Sequence, residues 1–137
     1  MTAQSTEILI YENERLSLCD EPLSDYFHLT GKDISFDWPH TALWRGYIGT
    51  WEITDGKLYL SSLKGWANGR TEVDISYVFP GNTGRVFAHW VNRRLRATRG
   101  RLLEYVHMGY ESTYEYDIFI HVRNGVITNI ETVSNVL

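Results

Sequence analysis

Leu43-Trp44-Arg45-Gly46-Tyr47-Ile48-Gly49-Thr50-Trp51-Glu52-Ile53-Thr54 runs into Asp55-Gly56 and then into Lys57-Leu58-Tyr59-Leu60-Ser61-Ser62-Leu63. Both flanks are rich in aromatic and β-branched residues, which fit a pleated, half-buried surface. Asp-Gly between two such runs is a strong hairpin signal, because both residues tolerate positive φ. Alternation puts Arg45, Tyr47, Gly49, Trp51 and Ile53 on one face of the first strand, and Trp44, Gly46, Ile48, Thr50 and Glu52 on the other. This strand is too apolar on both faces for an exposed edge, so Trp51 or Trp44 is expected in the core.

A second hairpin repeats the pattern near the C-terminal end. Tyr114, Tyr116, Ile118, Ile120 and Val122 alternate with Glu115, Asp117, Phe119 and His121, then Asn124-Gly125 turns the chain into Val126–Val133. Glu7–Tyr11 and Arg15–Cys19, separated by Glu12-Asn13-Glu14, read as a third. Between these, Asp20–Pro39 reads as a long excursion with little regular structure, in which Ser24–Leu29 makes one helical turn. Lys64–Arg70 reads as a loop. Thr71–Phe79 fits a short helix capped by Thr71 and a strand equally well. Gly84–Val91 and Leu95–Thr98 read as short strands, with a turn at Arg99-Gly100. The expected fold is mainly β: an antiparallel sandwich or partly open barrel of about eight to nine short strands with at most one or two short helices, in one domain over residues 1–137. With no clear βαβ unit, a parallel sheet is not expected.

Composition narrows the function classes. The 137 residues carry a formal net charge of −4, which disfavours generic nucleic-acid binding. Cys19 is the only cysteine, so no internal disulfide can form, and a cytoplasmic location is expected. Neither a secretory leader nor a run of ~18–20 apolar residues is visible, so membrane insertion is not expected. The scattered histidines lack metal-site spacing, and no nucleotide or nucleophile motif occurs, so neither metal nor cofactor is expected.

Leu102-Leu103-Glu104-Tyr105-Val106-His107-Met108-Gly109-Tyr110-Glu111 concentrates polar and aromatic chemistry at one strand end. His107 suits a general base, with Glu104 or Glu111 as the carboxylate that orients it. The alternative is a strand end whose His and Tyr groups are satisfied by backbone carbonyls. Trp44, Arg45 and Tyr47, joined by Tyr105 and Tyr110, suit a ligand wall, the guanidinium gripping an anion beside aromatic rings. Core packing of Trp44 is the competing role. Arg45 and His107 are expected to line one concavity. Arg93, Arg94, Arg96, Arg99 and Arg101 form the one basic run, open to nucleic-acid phosphate or to pairing with Glu111, Glu115 and Asp117.

Trp44-Arg45-Gly46-Tyr47, Trp51-Glu52-Ile53, Leu58-Tyr59-Leu60 and Leu102–Tyr110 resemble segments of a group of small uncharacterised bacterial proteins. The resemblance covers Leu43 to Val126 and implies bacterial origin and an independent domain, without a mechanism. Gly49-Thr50-Trp51 is also similar to the Gly-x-Trp of lipocalin-like barrels. It departs from that pattern in lying after two strands and before a tight hairpin. The leading expectation is a cytoplasmic domain that binds a small ligand or a protein partner, with an immunity or defence role included. The alternatives are a small hydrolase or transferase using His107, and RNA or single-stranded DNA binding through the arginine run. Oligomeric state is left open.

Overall fold

The structure, a computed structural model, describes residues 3–82 and 84–136. Its strands are β1 (Glu7–Tyr11), β2 (Glu14–Leu18), β3 (Tyr47–Thr54), β4 (Lys57–Ala67), β5 (Thr71–Val73), β6 (Val86–Phe87), β7 (Arg93–Glu104), β8 (Thr113–Arg123) and β9 (Val126–Ser134). One helix, α1 (Pro22–Thr30), and a 3₁₀ turn at Ile75–Tyr77 complete the elements. The strands form one sheet in the order β3-β1-β2-β7-β8-β9-β4-β5, with β6 also on β4. Because β3 pairs with β4 as well, the sheet bends round into a partly closed ring rather than a regular barrel.

The turn chemistry holds. Asp55 and Gly56 sit at φ 53° and 71°, Asn124 and Gly125 at 50° and 79°, so both dipeptides adopt the left-handed geometry that a two-residue hairpin requires. Glu12 and Asn13, at 51° and 63°, join β1 to β2 in the same way. The seam of the ring is narrow: β4 meets β9 only at Lys57 and Val126, reinforced by Leu58 N–H donating to Gly125 O and Ile127 N–H to Gly56 O.

Several elements differ from the sequence reading, each for a local reason. The sheet is mixed, not wholly antiparallel, because β1 lies parallel to β3 with Leu9 beside Trp51. Chain 19–46 carries the polypeptide back across the end of the ring, a crossover without a second helix. The strand expected from Leu43 begins only at Tyr47, since Gly46 takes φ 78° and its N–H closes a turn onto Leu43 O. The loop expected at Lys64–Arg70 is strand as far as Ala67, where β5 pairs with it. Thr71–Phe79 is neither wholly helix nor wholly strand: β5 covers Thr71–Val73, and Asp74 caps the 3₁₀ turn by accepting from Ser76 N–H at 3.0 Å. The turn expected at Arg99-Gly100 is a bulge, Gly100 at φ 90°, and β7 continues through it to Glu104. Only Val86–Phe87 of the expected 84–91 strand pairs.

The helix is longer than expected. Pro22 pre-sets its first turn and Gly31, at φ 67°, stops it by donating its N–H to Phe27 O. Leu23 is buried, Trp90 Nε1 donates to Pro22 O at 2.8 Å, and the Tyr26 ring lies 4.8 Å from that of Trp90. The core fills the ring, with Leu9, Trp51, Leu60, Leu95, Ile118 and Ile120 inside. Trp51 is fully buried, whereas Trp44 is 47% exposed. No helix among the described residues is long and apolar enough to cross a membrane.

Candidate functional site

The chemistry of the ring's inner end begins with a carboxylate. Glu7 opens β1 on the same face as Leu9, and that face points into the core, so its side chain is fully buried. Four donors meet it. Arg45 Nη2 lies 2.7 Å from Oε2 and Arg45 Nε 3.3 Å; Gly49 N–H donates to Oε2 at 2.7 Å; Trp51 Nε1 donates to Oε1 at 3.2 Å. Gly49-Thr50-Trp51 is thereby explained. The glycine amide and the indole N–H address one carboxylate, and a Cβ on Gly49 would stand 2.7 Å from Glu7 Oε1 and 2.9 Å from Trp51 Nε1. Burial raises the Glu7 pKa, a push that Arg45, the Gly49 amide and Trp51 only partly offset.

Arg45 is correspondingly committed. Burial opposes its charge most strongly, but Glu7, Tyr110 and Glu21 together offset it and its pKa rises. Its Nη1 donates to Ser5 O at 2.7 Å, and the guanidinium lies 5.4 Å from the centre of the Tyr47 ring. Tyr47 is buried, and its phenol is raised far above the ordinary range, first by burial and then by Glu7 and Glu21. Tyr110 arrives from the distant 102–111 segment. Its hydroxyl donates to Glu21 Oε2 at 2.8 Å, and it interacts electrostatically with Arg45; burial again raises its pKa far above the usual phenol value. Arg45, Tyr47 and Tyr110, read from sequence as ligand-binding residues, thus come together, but they face Glu7 and Glu21 rather than solvent.

His107 lies apart from this network. It is exposed, and its ring packs edge-on against Tyr105 at 4.5 Å. Glu104 and Glu111 are exposed too, and no hydrogen bond or ion pair joins either to His107. The cavity beside Tyr110 is about 60 Å³, lined by Gln4, Cys19, Tyr110 and Tyr114, with neither Arg45 nor His107 on its wall. That is room for a water or two. Cys19 is half-buried, and burial raises its thiol pKa, the reverse of an activated nucleophile. No cluster of His, Cys, Asp or Glu among the described residues could hold a metal ion.

Aromatic and apolar side chains reach solvent alongside Glu104, His107 and Glu111. Trp38, Trp44, Tyr105 and Met108 are all exposed. Gln4 ties their two segments together: its N–H donates to Gly109 O at 2.9 Å, its Oε1 accepts from Trp44 N–H at 2.9 Å, and its Nε2 donates to Thr41 O at 2.8 Å. Beside Thr41 lies an open groove of about 600 Å³ formed by Phe36–Thr41, Gly69 and Arg70, with Asp37 Oδ2 taking the Gly69 and Arg70 amides at 2.8 Å each.

The arginine run is largely committed as well. Arg93 bridges Asp20 and Asp25, Arg96 pairs with Asp117 and two carbonyls, Arg99 grips Glu14 with two nitrogens, and Arg94 covers the Phe119 ring at 4.3 Å. Of the partners read from sequence, Asp117 takes Arg96; Glu115 instead accepts the Arg101 backbone N–H.

Sequence reading missed Glu7, Glu21, Gln4 and the groove. The signal for Glu7 was a charge on the inward face of an otherwise apolar β1. Compared with known proteins, the chain matches no family model, no curated protein and no solved structure.

Proposed function

We propose that this is a bacterial, cytoplasmic recognition domain. It binds a protein partner through the exposed surface made by Trp38, Trp44, Tyr105, His107 and Met108. The observation that carries the reading is the division of labour around Gln4. Arg45 and Tyr110 turn inward onto Glu7 and Glu21, while the aromatic and thioether side chains of Trp38, Trp44, Tyr105 and Met108 are left outside, on segments that also expose Glu104, His107 and Glu111. Exposed aromatics and Met on a rigid base are the residue types enriched at protein interfaces. The lone cysteine supports the cytoplasmic setting. A defence or immunity role fits a small acidic domain that neutralises a partner.

The test is capture from source-cell extract by the immobilised chain. The reading expects a partner that Trp44→Ala with Tyr105→Ala releases and that Val126→Ala, an exposed apolar change elsewhere, retains. Equal capture by both variants would remove this surface from consideration. A small ligand is the second reading, favoured by the groove, whose volume lies in the range of ligand sites. There the Arg70 guanidinium would meet an anionic group and Trp38 a planar body. A metabolite that raises Tm in the wild type and not in Arg70→Ala would support it.

A further inference from the structure

Strand β9 has one paired edge and one bare one. It pairs with β8 from Val126 to Ser134, but with β4 at Val126 alone. Asn135 N–H donates to Glu115 O at 2.8 Å, which fixes the phase of the ladder. Counting back by twos, Val133, Glu131 and Asn129 face β8, so the amides and carbonyls of Ile130, Thr132 and Ser134 point away from it. No described residue receives them. Native sheets usually blunt such an edge with Lys, Pro or a cover. The stretch Asn129–Ser134 has no Pro and no Lys, and its one charge, Glu131, is drawn sideways to His121 at 2.7 Å. Tyr116, Val133 and Val136 add exposed apolar surface beside it.

We propose that this chain self-associates through β9, two copies pairing antiparallel about Thr132. That register pairs the bare groups without opposing like charges. It sets Thr132 against Thr132 of the second copy and Ile130 against Ser134, so the outward-pointing residues exchange backbone hydrogen bonds. Glu131 then falls opposite Val133. Centring on Glu131 instead would oppose two carboxylates, which is unfavourable. Thr-Thr is a favourable cross-strand pair. The interface uses neither the Trp44–Tyr105 surface nor the groove, and so stands independently of the reading above. An edge contact of this length belongs with small, transient interfaces, and the dimer Kd is expected on the order of micromolar.

Sedimentation equilibrium on the full chain tests it. The wild type is expected to show a concentration-dependent monomer–dimer equilibrium. Thr132→Pro removes an outward amide without touching the β8 ladder, and Thr132→Lys opposes like charges across the axis. Each is expected to weaken the dimer about tenfold or more, with far-ultraviolet circular dichroism unchanged. Should Thr132→Pro fail to fold, charge exchange carries the test: Thr132→Lys and Thr132→Glu are each monomeric alone and form a mixed dimer when combined. A wild type that stays monomeric to high micromolar concentration overturns the proposal, as does a dimer that Thr132→Lys leaves undiminished.

Discussion

Arg45 Nη2 lies 2.7 Å from Glu7 Oε2 with both side chains removed from solvent, 8% and 0% exposed. A buried pair of this kind is costly to break from one side, because the survivor stays desolvated without a counter-charge. Arg45→Met and Glu7→Leu are each expected to lower the unfolding free energy by about 3–5 kcal/mol. The double variant should lose less than the sum, although the Gly49 amide and the Trp51 indole still lack their acceptor. Urea denaturation of the four proteins checks this. Additive losses would mean that the pair is not coupled.

Alkaline pH should unfold the protein through its phenols. Tyr47 and Tyr110 both have pKa values raised above the ordinary 10 in the folded state. Above pH 10 the unfolded chain releases these protons and the folded chain keeps them. The folded state then binds more protons, so stability falls as pH rises through that range. Tyr47, being buried, contributes a slope of about 1.4 kcal/mol per pH unit there. Tyr47→Phe should flatten the decline of Tm above pH 10. An unchanged slope, or phenolate absorbance from both residues before unfolding, would contradict the burial assigned to them.

Trp51 and Trp44 should behave oppositely although they lie seven positions apart on one sequence stretch. Trp51→Ala empties a fully buried site and is expected to cost about 3–5 kcal/mol. Trp44→Ala, at an exposed position, is expected to stay within about 0.5 kcal/mol of wild type. Chemical denaturation separates them, and a large loss at Trp44 would place that ring inside the fold.

Gly49→Ala should damage the carboxylate site without introducing any charge or polar group. The new methyl would crowd Glu7 Oε1 at 2.7 Å and Leu60 Cδ1 at 3.3 Å. Overpacking of this kind costs about 1–3 kcal/mol. Tm measurement reads the loss. Gly56→Ala is the comparison: it meets no neighbour but keeps a positive φ of 71°, so its cost is confined to backbone strain.

The hairpins were legible because their information is local. Asp55-Gly56 and Asn124-Gly125 fix both turn and register within a few residues, and the flanking alternation fixes the face. The β1–β3 pairing was not legible, since a parallel neighbour is joined through a crossover and carries no local signature. Gly100 misled for a related reason: a glycine at positive φ serves a bulge and a turn alike, and only the partner strand β8 decides. At the candidate site, sequence read Arg45, Tyr47 and Tyr110 as ligand-binding residues, and in the structure they gather around Glu7 and Glu21. It could not show which way they face, because that depends on Glu7, 38 positions from Arg45 on another strand. Trp44 points out from the turn before β3, beside the inward Arg45.

The narrow seam has a consequence in time. Closing the ring needs Lys57 to meet Val126, and Ser17 to meet Thr98 at still greater separation in sequence, so it rests on the most nonlocal pairings of the fold. Chains dominated by such distant pairings search slowly, in milliseconds to seconds. Until the C-terminal hairpin arrives, an incomplete chain presents β7 as an open edge. The interval between synthesis of β7 and arrival of β8 is when this protein is most exposed to aggregation and most dependent on chaperones.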